Sequence, residues 1–179
     1  MRKFIWSFLE VLQTVAIAAA AVFLVRTFVA QPFLVSGASM ETNFYNKDYL
    51  LVDELSYRFR EPARGEVIVF KYPGDHKSFY IKRIIGLPGE RVVVSDGQIV
   101  IYKGNEKLIL KEGYLHQIMN SGHSETTLGK DQYFMMGDNR NFSFDSRSWG
   151  PLTRGEIIGL VRLRVWPINQ AMAFSPPNY

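Results

Sequence analysis

The chain has 179 residues, 47% of them hydrophobic, with 21 basic and 17 acidic side chains and a net charge of +4. The basic residues are scattered, with no block of like charge, which argues against a nucleic-acid partner and fits a mildly basic surface near anionic lipid. With no cysteine, a thiol nucleophile, cysteine-ligated zinc and disulfides are excluded.

The chain opens on Met1-Arg2-Lys3 and then runs apolar over residues 4–25, interrupted only by Ser7, Glu10, Gln13 and Thr14. As a helix this stretch is roughly 33 Å long, enough to cross a hydrocarbon core. Trp6 and Arg26 suit its two interfaces, and Glu10 lies near enough to the first for its charge to reach water. A cleaved secretory signal is the competing reading. The apolar run continues through Val22-Phe23-Leu24-Val25, past the alanines. A cut after Ala30 would also put Phe28 at the third position back, where a small residue is wanted. An uncleaved anchor is therefore expected over residues 1–30. Arg2 and Lys3 place the N-terminus in the cytoplasm and residues 31–179 outside it.

From Gln31 the pattern changes to short β-rich runs bounded by turn formers. Tyr49-Leu50-Leu51-Val52, Glu66-Val67-Ile68-Val69-Phe70 and Tyr80-Ile81-Lys82-Arg83-Ile84-Ile85 are predicted strands. Residues 91–94 and 98–102, joined by Ser95-Asp96-Gly97, read as a hairpin. Lys107-Leu108-Ile109-Leu110 adds a further candidate. Residues 112–130 are polar and weakly patterned, and about 103–130 reads as an inserted loop or small subdomain. Strands resume at 133–136 and 157–165. The fold class is mostly β: an N-terminal transmembrane helix followed by an antiparallel β domain.

Three stretches bear chemistry. Ser36-Gly37-Ala38-Ser39-Met40 sets a serine among small residues just beyond the anchor, which is also ordinary turn chemistry. As a nucleophile Ser39 needs a base. His76, His116 and His123 all lie in polar stretches and form no metal-binding spacing; spacing leaves a Ser-His-Asp triad open without pointing to one. Lys82, inside an apolar strand on one face with Tyr80 and Ile84, is the alternative. Burial among apolar groups would have to lower its pKa from about 10.4 to about 7–8, whereas a lysine snorkelling to water would keep it high. Arg83, on the opposite face, reads as structural or surface. The third stretch spans 136–147, where Asp145 and Arg147 suit a buried ion pair and Ser143 a hydrogen bond; a solvated loop is the plainer alternative.

Together these residues resemble the type I signal peptidases of bacteria, in the small single-anchor form of Gram-positive organisms. Four boxes occur in order: Gly37-Ala38-Ser39-Met40; Arg64-Gly65-Glu66-Val67-Ile68-Val69-Phe70; residues 80–90 around Lys82; and Gly137-Asp138-Asn139-Arg140 through Ser143, Asp145, Ser146, Arg147 and Trp149-Gly150. The resemblance implies a Ser39 nucleophile with Lys82 as general base and an acyl-enzyme intermediate. It implies Ser143 hydrogen-bonded to the lysine, a supporting Asp145–Arg147 pair, and an oxyanion met by the Ser39 backbone N–H and a donor near Gly37, with Ser36 an open candidate. It implies preprotein substrates with small residues before the cut, a lipid bilayer as partner, no metal or organic cofactor, and a monomer. Two positions depart from the family pattern. Met40-Glu41-Thr42-Asn43-Phe44 stands where Met-x-Pro-Thr-Leu is usual, and Asn141 follows Gly-Asp-Asn-Arg in place of aspartate. A slow or silent paralogue that only binds exported peptides is the alternative those departures leave open.

Overall fold

A computed structural model describes residues 2–28, 30–115, 119, 122–177 and 179. Helix α1 (Arg2–Phe28) is followed almost at once by strand β1 (Ala30–Leu34). Within the helix, the window Trp6–Phe23 has a mean hydropathy of 1.7 and is entirely unburied. It is long and apolar enough to cross a membrane by length and composition.

Twelve strands follow among the described residues, in two antiparallel sheets. The first contains β2 (Tyr49–Asp53), β3 (Val67–Lys71), β4 (Phe79–Gly86), β9 (Gln132–Met136), β10 (Leu152–Thr153), β11 (Ile157–Trp166) and β12 (Met172–Ala173), together with β1. Its order is β1-β2-β11-β3-β4-β9-β10, with β12 on β11. Pro32 sits in the edge strand β1, where a missing N–H can be tolerated. Central β3 reads Val-Ile-Val-Phe without alternation because both its faces are buried. Three breaks in the register of β11 with β2 and β3 let this long strand bend. The sheet curls so far that Phe33 of β1 meets Phe79 of β4 edge-on, 5.5 Å between ring centroids, although three strands lie between them in the sheet.

The second sheet has the order β7-β6-β5-β8, from β5 (Arg91–Ser95), β6 (Gln98–Lys103), β7 (Glu106–Ile109) and β8 (Ser124–Thr127). The predicted hairpin is present, with Arg91 opposite Tyr102 and Ser95 opposite Gln98. Asp96 and Gly97 both take positive φ, 50° and 77°, as a two-residue turn between twisted strands requires. Val92, Val94, Ile99 and Ile101 point inward and pack against Ile85, Phe134 and Met136 of the first sheet. Each contributes about 1.5–3 kcal/mol of burial.

The stretch about 103–130, expected as an inserted loop or small subdomain, carries two strands among its described residues. β7 and β8 lie in that range and complete the sheet begun at Arg91. β8 reads Ser-Glu-Thr-Thr, an edge strand with no apolar alternation to announce it. His116 lies outside the described residues.

Candidate active site

The turn after β1 carries Ser39. Its entry is tied by Val35, whose N–H donates to the Asp48 carbonyl and whose carbonyl accepts from Lys47 N–H, both at 2.9 Å. Gly37 takes φ +102°, open to glycine and strained for other residues. Beyond Ser39 the chain coils, with Phe44 N–H donating to the Met40 carbonyl at 2.9 Å. Met40 and Phe44 are fully buried, so the core grips the turn by its apolar residues. From the other side Asn139 holds two successive carbonyls. Its backbone N–H donates to the Ser39 carbonyl and its Nδ2 to the Ala38 carbonyl, each at 3.0 Å. Gly137 lets these segments touch, since a Cβ there would collide with Ser143 Oγ and the Ser39 carbonyl.

Lys82 comes from the middle of β4 and is 4% exposed. Its Nζ donates to Ser39 Oγ at 2.7 Å and to the Ile81 carbonyl at 2.9 Å, and lies 5.5 Å from the centre of the Tyr80 ring. Burial strips water from the ammonium and pulls its pKa down to about 8, against the Asp145 and Asp138 carboxylates, which favour the charged form. The alternation read from the sequence holds, and the amine points inward instead of snorkelling.

Ser39 and Lys82 open onto an apolar cleft of about 480 Å³, walled by Phe33, Leu34, Phe79, Ile81, Phe142 and Phe144 among others. β4 pairs with β9 only from Arg83 onward, so residues 79–82 have no strand partner on that edge among the described residues. Ser36 is exposed at the rim. The Gly37 N–H donates to Asn46 Oδ1 at 3.3 Å.

The remaining predicted residues divide. Asp145 and Arg147 form the expected pair, two-pronged at 2.8 and 2.7 Å, with Asp145 fully buried and also accepting from Gly137 N–H at 3.1 Å. Ser143 lies beside Gly137, but its buried Oγ has no hydrogen-bond partner among the described residues, so the expected bond to Lys82 is not made. His76 bonds to Glu156 with its ring largely exposed, and His123 is exposed; neither is bonded to Ser39. Among the described residues no three His, Asp or Glu side chains gather as a metal-ligand group.

Several supporting contacts were not anticipated from the sequence. Arg83 pairs with Asp138 at 2.8 and 2.6 Å, and Asn43 Nδ2 donates to the same carboxylate at 2.8 Å. Arg140 grips Glu112 at 2.6 and 2.7 Å while its Nε donates to the Gly137 carbonyl at 2.9 Å. The Gly-Asp-Asn-Arg box was visible, and its polar density was the available signal; the partners lie too far along the chain to be read off.

Residues 8–166 match the family described as signal peptidase, peptidase S26. The chain belongs to this family of serine peptidases. Among its relatives, the probable signal peptidase I-2 of Synechocystis is 38% identical over 168 residues, covering 90% of this chain and 75% of the relative. Signal peptidase I P of Bacillus subtilis subsp. natto is 31% identical, covering 89% of each. A solved signal peptidase I from Enterococcus faecalis V583 is 28% identical with a TM-score of 0.48, covering 57% of this chain and 97% of that one. The four motif boxes, from Gly37 to Gly150, fall within the matched span.

Proposed function

We propose that this protein is a membrane-anchored endopeptidase that removes signal peptides from exported preproteins, with Ser39 as nucleophile and Lys82 as its base. The carrying observation is the 2.7 Å contact between Lys82 Nζ and Ser39 Oγ at the floor of an apolar cleft. With Lys82 neutral, the same contact runs with the Ser39 hydroxyl donating to Nζ. The Ile81 carbonyl engages one amine N–H and turns the lone pair toward the serine. A pKa near 8 leaves a useful fraction of the amine unprotonated close to neutral pH.

In the reaction Ser39 Oγ bonds to the carbonyl carbon at the cut while its proton passes to Lys82 Nζ. The developing oxyanion is met by the Ser39 backbone N–H, which has no partner among the described residues. Lys82 returns the proton to the departing amine, the C–N bond breaks, and an ester to Ser39 remains. A water then attacks the ester, its proton goes to Lys82, and the carboxylate leaves as Ser39 regains its hydrogen. An extended peptide laid along the unpaired edge of residues 79–82 would gain backbone hydrogen bonds, and the apolar walls would suit apolar side chains beside Ser39. Asp145 and Arg147 act as positioning residues through the Gly137 backbone.

Helix α1 serves as the anchor, its N-terminus cytoplasmic and the β domain on the far side. Since β1 leaves the helix within two residues and lines the cleft, enzyme and membrane-held substrate share one surface, which raises their effective concentration. Cleavage of a preprotein in lipid by the full chain tests the proposal. Lys82→Ala and Ser39→Ala should each lower kcat/KM by about 10²–10⁴-fold or more, while His76→Ala and His123→Ala leave it intact. Loss of cleavage in a histidine variant with Lys82→Ala active would sink the dyad, and bound but uncut preprotein in the unaltered enzyme would mean a peptide-binding protein.

A further inference from the structure

The motif turn of this chain lacks the family's proline, yet Ser39 is held in line with Lys82. The contacts responsible come partly from a segment that no motif includes. After β12 the chain crosses the back of the Ser39 turn, on the side away from the apolar cleft. Phe174 lays its ring on that of Phe44, 4.4 Å between centroids at 33°. Phe44 is the fully buried residue that ends the turn. The backbone N–H of Phe174 donates to the Arg162 carbonyl at 2.9 Å, which ties the segment to β11.

Further on, the segment packs on the turn that leads into β3. Pro177 and Tyr179 pack on Gly65, where a Cβ would stand 2.8 Å from Pro177 Cδ and 3.0 Å from Tyr179 Cε2. The Gly65 carbonyl accepts from Arg83 Nη1 at 2.8 Å, and Arg83 is the neighbour of Lys82. The Tyr179 and Tyr114 hydroxyls are hydrogen-bonded at 3.0 Å. Tyr114 completes the circuit: its carbonyl accepts from Asn43 Nδ2 at 3.3 Å, its hydroxyl donates to Glu112 at 2.7 Å, and its ring lies 4.2 Å from the Arg83 guanidinium.

We infer that residues 174–177 and 179 form a positioning strap that clamps the back of the Ser39 turn, through Phe174 on Phe44 and Tyr179 on Tyr114, in place of the missing proline. The inference rests on the proposed Ser39–Lys82 chemistry. A cleft of about 440 Å³ lies beneath the strap, lined by Asn43, Gly65, Arg83, Tyr114, Phe174 and Pro177 among others. The turn therefore has open space behind it, and the strap's contacts there add to the bonds that Asn43 makes with Asp138 and Arg164. No strap residue lines the apolar cleft. Its loss should thus misplace the nucleophile without altering substrate contact, and a displacement of about 1 Å can cost up to about a hundredfold in rate.

The test uses the full chain in lipid with a preprotein substrate. Rates are normalised to the folded fraction by near-UV circular dichroism. Phe174→Ala should lower kcat about tenfold or more with KM within about twofold, and Phe174→Leu, which keeps apolar bulk on Phe44, should restore most of it. Tyr179→Phe removes one hydroxyl from a partly exposed residue and should lower kcat by about threefold. Phe59→Ala, which truncates an exposed ring elsewhere, should change nothing. The strap is overturned if neither strap variant alters kcat per folded molecule, if Phe174→Leu fails to recover what Phe174→Ala loses, or if the loss falls on KM alone. Ser39→Ala run alongside separates the two claims. If it still cleaves, the dyad itself is wrong; if it is dead while the strap variants are fully active, only the strap is wrong.

Discussion

The two sheets handle burial in opposite ways. In the second, β5 and β6 alternate strictly, apolar side chains go inward, and none of the buried charged residues lies on its strands. Around Ser39 the interior is full of charge. Arg83, Arg140 and Arg164 are all buried, and each has a carboxylate within 2.7 Å, from Asp138, Glu112 and Asp48. Lys82 is buried to the same degree, yet among the described residues no carboxylate lies within ion-pair distance of it. A buried cation with a partner stays charged; a buried cation without one moves toward neutrality. The contrast separates the paired arginines, which hold their charge, from Lys82, which burial pushes toward neutrality.

Breaking a pair should cost most. Asp138→Ala leaves the Arg83 guanidinium buried and takes an acceptor from Asn43. It should destabilise the domain by about 3–5 kcal/mol in urea unfolding and lower cleavage as well. Ile99→Ala, in the apolar sheet, should cost about 2–5 kcal/mol but leave cleavage per folded molecule unchanged. If it also abolished cleavage, the separation between the regions would fail.

Lys82→Met sharpens the same contrast in the other direction. The folded pKa near 8 lies below the ordinary 10.5, so the unfolded chain binds this proton more tightly. Lys82 therefore costs about 3 kcal/mol of stability below pH 8, and the cost fades as pH rises toward 10.5. The methionine variant should be the more stable protein at pH 7, and its advantage should shrink across that window. A constant difference at all pH values would mean that Lys82 is not desolvated.

Local chemistry made much of this legible. The hairpin at Asp96-Gly97 follows from period two and turn residues, and the resemblance paired Ser39 with Lys82; period two put Lys82 on one face with Tyr80 and left open whether its amine turns inward or snorkels. Other features depend on meetings that local pattern does not encode. Arg83 finds Asp138 and Arg164 finds Asp48 across more than fifty residues, and β8 joins its sheet through backbone hydrogen bonds that Ser-Glu-Thr-Thr does not advertise. Glu41-Thr42-Asn43 looked like the loss of a proline-fixed turn. In three dimensions the Asn43 amide takes up part of that task by bonding to Asp138 and to the Tyr114 carbonyl. Ser143 was placed on Lys82 by resemblance alone, and here its hydroxyl is unpartnered among the described residues.

The pH dependence of preprotein cleavage tests the central claim most directly. With Lys82 as base, kcat/KM should be low in acid and rise with an apparent pKa of about 8 as the amine loses its proton. The histidine variants should show the same curve. An activity that instead rises through the ordinary histidine range near about 6.5, with a limb that vanishes in His123→Ala or His76→Ala, would contradict it.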